Sequence, residues 1–225
     1  MSPRSRSDSV PATASGPRRT YGQQSLTERR EDQYRRLIEA ARDGFAEHGY
    51  AGTSVEDIVA RARVSRTSFY RFFSDREDCL LAVYREGTER GLAALKRTAR
   101  SHPPAEQKVR AGIAGFLETL AADLALAHVV LIDIVGATPA AEQARVEVRR
   151  RIATVVEEEL KESGLWQGRP EIEIHLVALA TMAGIAESVA YLVATGGLGD
   201  WRQAVEPLAA FAIRALTPPA GAGGA

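Results

Sequence analysis

A chain of 225 residues, 45% of them hydrophobic, is long enough to bury one or two apolar cores. Its formal charge is zero but unevenly spread: residues 1 to 75 hold 13 Lys and Arg against 10 Asp and Glu, leaving 16 against 19 in the rest, which suits a nucleic-acid-binding end on an acidic body. The single cysteine, Cys79, excludes an intramolecular disulfide and the first thirty residues lack the apolar core of a secretory signal, so a cytoplasmic protein is expected. The longest apolar run, residues 174 to 185, is too short to span a bilayer and is read as a buried helix rather than a membrane anchor.

Residues 1–30 combine Ser, Pro, Gly and Thr with Arg4, Arg6, Arg18, Arg19, Arg29 and Arg30 and hold almost nothing to bury. They are expected to be a disordered basic arm, either a solubilising tail or a minor-groove contact. Between residues 36 and 84 two short helices are squeezed between longer ones. Thr53, Ser54, Val55 and Glu56 form a capping box, in which the Thr53 hydroxyl accepts from a backbone amide and Glu56 reaches back. Val55, Ile58, Val59 and Ala62 are the buried stripe of that helix. A turn at Arg63 and Val64 follows, and Ser65 caps a second helix whose Phe69 and Phe73 point inward. Its other face carries Arg66, Thr67, Ser68, Tyr70 and Arg71, side chains suited to phosphate oxygens and base edges in a major groove. Ser74, Asp75, Arg76 and Glu77 repeat the capping box. The stretch reads as a helix-turn-helix.

Beyond residue 77 the pattern is helical, with breaks at Pro103 and Pro104, 136–139, 164–170 and 196–199. Helices are expected near 77–100, 105–135 with an interruption, 140–163, 170–195 and 200–216. Ala178, Ala180, Ala183, Gly184, Ala186, Ala190 and Ala194 are small enough for another helix to approach closely, and Val205, Leu208, Ala212 and Leu216 form a stripe on the last helix. These residues suit a dimer surface or an intramolecular core. Since one reading helix covers only a few base pairs, half-sites a turn apart also call for a dimer. Little catalytic chemistry is visible: His48, His102, His128 and His175 are scattered, no phosphate-binding glycine loop or nucleophile elbow occurs, and no metal or cofactor is expected. The Arg149, Arg150, Arg151 run reads as a solvated helix face.

Residues 36–41 (RLIEAA), 45–50 (FAEHGY), 53–58 (TSVEDI), 62–73 (ARVSRTSFYRFF) and 74–81 (SDREDCLL) resemble the TetR-like one-component transcriptional regulators. The chain departs from that pattern at Arg63, where glycine is usual and a strained or slightly different turn is therefore expected, and at Thr67, Phe72 and Arg76, which bear on the operator sequence. The resemblance implies an all-α protein: a three-helix, homeodomain-like DNA-binding domain at 31–76, a helical ligand-binding and dimerisation domain at 77–217, and a flexible tail at 218–225. It implies a homodimer through the helices near 170–195 and 200–216, on double-stranded operator DNA, with Thr53, Tyr70 and Arg76 on phosphates, Ser65, Arg66, Thr67, Ser68 and Arg71 in or near the groove, and Ser54 also among the DNA-binding residues. It also implies a small-molecule effector in the body, for which Phe116, Leu120, His128, Trp166, His175, Met182 and Tyr191 are candidate walls and a mostly apolar ligand is expected. The function so implied is a repressor released by its ligand. An activator on the same scaffold, a global nucleoid binder and a ligand-sequestering protein without specific DNA binding are the alternatives.

Overall fold

After Pro17 the chain has no proline until Pro103, and from Gln23 to His48 its one glycine is Gly44, a composition that favours helix. In the computed structural model, which describes residues 18–99 and 105–218, this stretch is helix α1 (Arg18–Gly52). The helix starts well before residue 31, so the second half of the expected disordered arm is helical, while residues 1–17 lie outside the described residues. Helical geometry fails at Gly49, where φ is 72° and ψ 169°. A side chain there would be strained, and the break turns the chain toward α2 (Val55–Ala62).

Both helix caps sit one residue later than the sequence suggested. Ser54, not Thr53, caps α2: its hydroxyl accepts from the Asp57 amide at 3.1 Å, and the Asp57 carboxylate accepts from the Ser54 amide at 2.9 Å. The reason is tertiary. Thr53 is 1% exposed, and its hydroxyl donates to the carbonyls of Gly44 at 2.8 Å and Gly49 at 2.9 Å, so α1 claims it first. Ahead of the fourth helix, Asp75 rather than Ser74 accepts from the Asp78 amide at 2.8 Å, and Asp78 accepts from the Ser74 amide at 3.1 Å.

The turn after α2 closes with the Arg63 amide on the Ala60 carbonyl at 3.2 Å and the Val64 amide on the Val59 carbonyl at 3.1 Å. This double closure requires a left-handed residue just past the helix. Arg63 supplies it at φ 53°, the one non-glycine residue with positive φ among the described residues. Arg36, from α1, donates to the carbonyls of Ala62 and Arg63 and so satisfies the exposed end of α2. The second short helix, α3 (Arg66–Phe69), is shorter than expected; the chain then continues in turns to Phe73, whose amide reaches the Phe69 carbonyl at 3.0 Å.

The body follows as α4 (Arg76–Ala99), α5 (Ala105–Ala121), α6 (Leu124–His128), a π-helical turn (Val129–Asp133), α7 (Pro139–Glu162), α8 (Glu171–Ala194), a 3-10 turn (Gly197–Asp200) and α9 (Trp201–Leu216). No strand occurs among the described residues, and the interruption expected within 105–135 is the bend into α6 and the π turn. The break at Pro103 and Pro104 and most of the expected tail lie outside the described residues. Helix α5 packs on α9 and α4, and α7 on α8 and α4.

One apolar cluster joins Leu37, Phe45, Ile58, Phe69, Phe73, Leu80 and Val83 to Leu126, Val129, Ile134 and Ala141. The first four helices therefore share their core with α6, the π turn and the start of α7, so no packing boundary falls at residue 76. A second cluster holds Ile113, Leu117, Leu120, Ile185, Val189, Ala209 and Ala212, and a third Leu160, Trp166, Ile174 and Ala178.

Helix α8 is not the fully buried helix that its composition suggested. Its 24 residues are long and apolar enough to cross a membrane by length and composition, yet only Ile174, Ala178, Thr181, Ile185 and Val189 are buried. On the opposite side Ile172, Leu176, Ala180, Ala183, Glu187, Tyr191 and Ala194 are exposed along one stripe.

Replacing Arg63 by Gly relieves the left-handed residue, and a gain of about 0.5–1 kcal/mol in urea unfolding is expected, whereas Arg36→Met exposes two carbonyls and costs ~1–2 kcal/mol. Equal midpoints for wild type and both variants would show that the turn carries no strain and the Arg36 contact no stability.

Candidate nucleic-acid interface and ligand cavity

The outer edge of α3 is polar because its inner edge is committed to Phe69 and Phe73. Ser65, Arg66, Thr67, Tyr70 and Arg71 are exposed there, while Ser54 is half-buried at the α2 cap. Two residues expected on DNA are placed elsewhere. Ser68 is 8% exposed with its hydroxyl 2.9 Å from that of Ser65, because both close the N-terminus of α3. The Thr53 side chain is consumed by α1. Arg76 is half-buried, stacked 4.1 Å over the Tyr50 ring and donating to the Thr53 carbonyl at 2.8 Å, so it holds the α2 entrance as much as it faces solvent. Arg66 reaches the Glu56 carboxylate at 2.7 Å and lies 5.6 Å from the Tyr70 ring centre. Asp57 is an acid on the same edge, held below the usual carboxylate range by the hydrogen bonds from Ser54.

A cavity of about 1040 Å³ opens between α4, α5, α7, α8 and α9, walled by Leu92, Leu95, Ile113, Phe116, Leu120, Ile152, Val155, Met182 and Ile185. Of the candidates for its wall, Phe116, Leu120 and Met182 line it. The other four do not. Trp166 is buried in the third cluster with its indole N–H on the Leu216 carbonyl at 2.8 Å. His128 is spent on Asp133 at 2.8 Å and His175 on Glu157 at 2.6 Å, and Tyr191 is 67% exposed on the outer stripe of α8. Apolar bulk and lone histidines do not report direction, which helix rotation fixes.

The cavity also holds charges. Lys108 meets Glu159 at 2.8 Å, Arg110 meets Glu106 and Glu206 at 3.2 and 3.1 Å, and Arg145 meets Glu142 at 2.9 Å. Arg149 and Glu187 both line the cavity, are exposed and make no ion pair among the described residues, Glu187 from the edge of α8 that also carries its exposed stripe. The three-arginine run is thus divided: Arg150 pairs with Glu147 at 2.8 Å and Arg151 with Glu89 on the solvated side, while Arg149 turns to the cavity. The sequence did carry a signal for this. Arg145, Arg149, Ile152 and Val156 follow helical spacing, so two cations lead into one apolar stripe. Nearby, burial pushes the Tyr84 hydroxyl up to about 12, against the pull of Arg145 and Arg149.

The family described as bacterial regulatory proteins, tetR family, matches residues 37–83, from the middle of α1 into α4. Over these residues the chain is TetR-like. A fatty acid metabolism regulator protein of Bacillus subtilis is 25% identical over 123 residues, 55% of this chain and 60% of its own length. The match thus spans less than two thirds of that relative. The transcriptional activator FasR of Mycolicibacterium smegmatis is 24% identical over 189 residues, 84% of each chain. The crystal structure of the transcriptional regulator FadR from Bacillus subtilis in complex with stearoyl-CoA superposes with a TM-score of 0.65 at 22% identity, covering 81% of this chain and 95% of that one. That likeness establishes the shared fold.

The candidate interface and the cavity meet at α6 and the π turn. Val129 and Ile134 enter the core of the DNA-binding helices, Leu131 packs in the second cluster and lines the cavity, and Val130 touches both clusters and the cavity. α4 crosses this unit at Gly87, where a Cβ would lie 2.8 Å from Val130 Cγ1 and 2.9 Å from Leu126 Cδ1. The unit is tied to α1 by Arg42, which meets Asp123 at 2.7 Å, and Asp123 also caps α6 by accepting from the Leu126 amide at 3.0 Å. At the other end Asp133 is held by His128; burial pushes its carboxyl up, against the pull of that imidazole. Among the described residues no group of His, Cys, Asp and Glu could hold a metal ion.

Replacing Glu56 by Gln removes a negative charge beside the α3 edge and frees Arg66. Fluorescence anisotropy on DNA at two salt concentrations is expected to show several-fold tighter binding on all sequences and a salt slope steeper by about one. Weaker binding confined to one sequence would mean instead that Glu56 aims Arg66 at a base.

Proposed function

We propose that the chain is a ligand-responsive transcriptional regulator, a repressor that binds an inverted-repeat operator as a homodimer in the cytoplasm and is released by an apolar, long-chain effector. The observation that carries this reading is the position of α6 and the π turn, which belong to the core of the DNA-binding helices and to the wall of the cavity. Filling the cavity displaces Val130 and Leu131, and the same rigid unit carries Val129, Ile134 and the Arg42–Asp123 pair. A ligand that fits the displaced arrangement better shifts the population away from the DNA-competent spacing; equal affinity for both would shift nothing.

The apolar walls support an apolar effector, and the similarity to regulators named for fatty acid metabolism, one of them solved with stearoyl-CoA, points to long acyl chains. Ser65, Arg66, Thr67, Tyr70 and Arg71 are the exposed groups for phosphates and base edges, with Arg76 and the Thr53 and Ser54 segment behind them. The dimer face is the outward stripe of α8 with Phe211 and Pro207 of α9, both exposed. The stripe of α9 read from the sequence is not part of it, because Val205, Leu208 and Ala212 pack inward in the second cluster. FasR is named an activator, so an activator on the same scaffold is the second reading, and transcription in vitro with and without ligand separates the two signs.

Selection of bound sequences from a random DNA pool at two salt concentrations tests the DNA-binding part. An inverted repeat is expected, and recovery of no motif with binding lost as salt rises would leave only an electrostatic binder. Replacing Ala183 by Glu places a charge in the α8 face. Sedimentation is expected to change from dimer to monomer and operator affinity to fall by ~100-fold through lost bivalency. An unchanged dimer would move the interface elsewhere.

A further inference from the structure

The charges around the cavity are satisfied at one end and left open at the other. Where α5 begins and α7 ends, Lys108 and Glu159 neutralise each other. Near Tyr84 the balance is positive. Glu142 accepts from the Gly136 amide at 2.7 Å and from Arg145 at 2.9 Å, which fixes Arg145 at 17% exposure with further N–H donors to spare. One turn along α7, Arg149 makes no ion pair among the described residues, and the carboxylate that feels its charge, Glu142, is already held by Arg145. The apolar stripe of Ile152, Val155 and Val156 then leads away from it to Leu160, eleven residues or roughly 16 Å along the helix.

An exposed guanidinium costs nothing in water, so Arg149 alone could be a solvated side chain like Arg150. What separates the two is the wall they stand on: Arg150 and Arg151 find carboxylates outside, whereas Arg149 stands at the lip of an apolar cavity beside a second arginine and a tyrosine hydroxyl. Planar, multidentate recognition of carboxylate or phosphate is what paired guanidinium groups do best.

We propose that this end of the cavity is an anion site, in which Arg149, backed by Arg145 and the Tyr84 hydroxyl, receives the anionic group of an amphiphile whose single apolar chain lies along α7 toward Leu160. The proposal rests on the reading of the cavity as a site for an apolar effector. It assigns the charged end of that molecule to the side nearest the DNA-binding core, where α4 and α7 meet. The shared chemistry is a chain ending in an anion, which a free fatty acid supplies as a carboxylate and an acyl thioester of coenzyme A as phosphates.

Titration calorimetry of the full chain with stearate, stearoyl-CoA and octadecanol tests it. At least one of the two anions is expected to bind tenfold or more tightly than the alcohol, as one charge-assisted hydrogen bond gives, and which one does identifies the source of the anion. Arg149→Glu removes that advantage and leaves octadecanol unchanged; Arg149→Gln removes part of it; Arg150→Glu, on the solvated side of the same helix, changes neither. Octadecanol binding as tightly as both anions, or Arg149→Glu and Arg150→Glu acting alike, overturns the anion site while leaving the apolar effector in place. Failure of all three to bind wild type overturns both.

Discussion

The structure depends on one piece of packing, the insertion of α6 and the π turn between two apolar clusters. Val129 and Ile134 complete the core that Phe45, Ile58, Phe69 and Phe73 begin, and Leu131 completes the wall of the cavity. A packed core transmits displacement rather than absorbing it, so these helices cannot move without moving the base of α1. The π turn suits this position. Its hydrogen bonds run one residue further than those of an α-helix, a geometry frequent at functional sites, and it sets Val129 in the first cluster, Leu131 against the second and Val130 against both.

Electrostatics act locally in this chain. With no net charge overall, the proposed attraction to DNA comes from how a few side chains are held. Arg66 is shared with Glu56, Arg36 is committed to the end of α2, and Arg76 is stacked on Tyr50. The cations on the DNA-binding side thus also support the turn that presents α3, which joins folding to recognition. Such a site gains affinity from placement more than from field strength.

Helix α8 shows how composition and environment separate. Its sequence would pass for a membrane span, but one side packs in the second and third clusters and the other carries small residues on an exposed stripe. In the proposed dimer that stripe meets its own copy, and a low profile of alanines lets two helix axes approach closely. An apolar helix left half bare is expensive for a lone chain in water, and association removes that cost.

The sequence by itself determined the helices of the body to within a residue or two, since proline, glycine and apolar period are local signals. It also determined the helix-turn-helix and the polar edge of α3, because cap residues and turn geometry are written in neighbouring positions, whereas strain at Arg63 followed only from the resemblance to a family with glycine there. Only the tertiary structure decided which of two adjacent hydroxyls caps α2, since Thr53 is claimed by carbonyls of α1 that no local pattern names. It alone decided that residues 18–30 continue α1, that Ser68 is closed off, and that Trp166, His128, His175 and Tyr191 stay out of the cavity. It also divided three consecutive arginines between water and the cavity. Each of these depends on how a helix is rotated against its neighbours, and rotation is set by packing between segments far apart in the chain, which local patterns do not record.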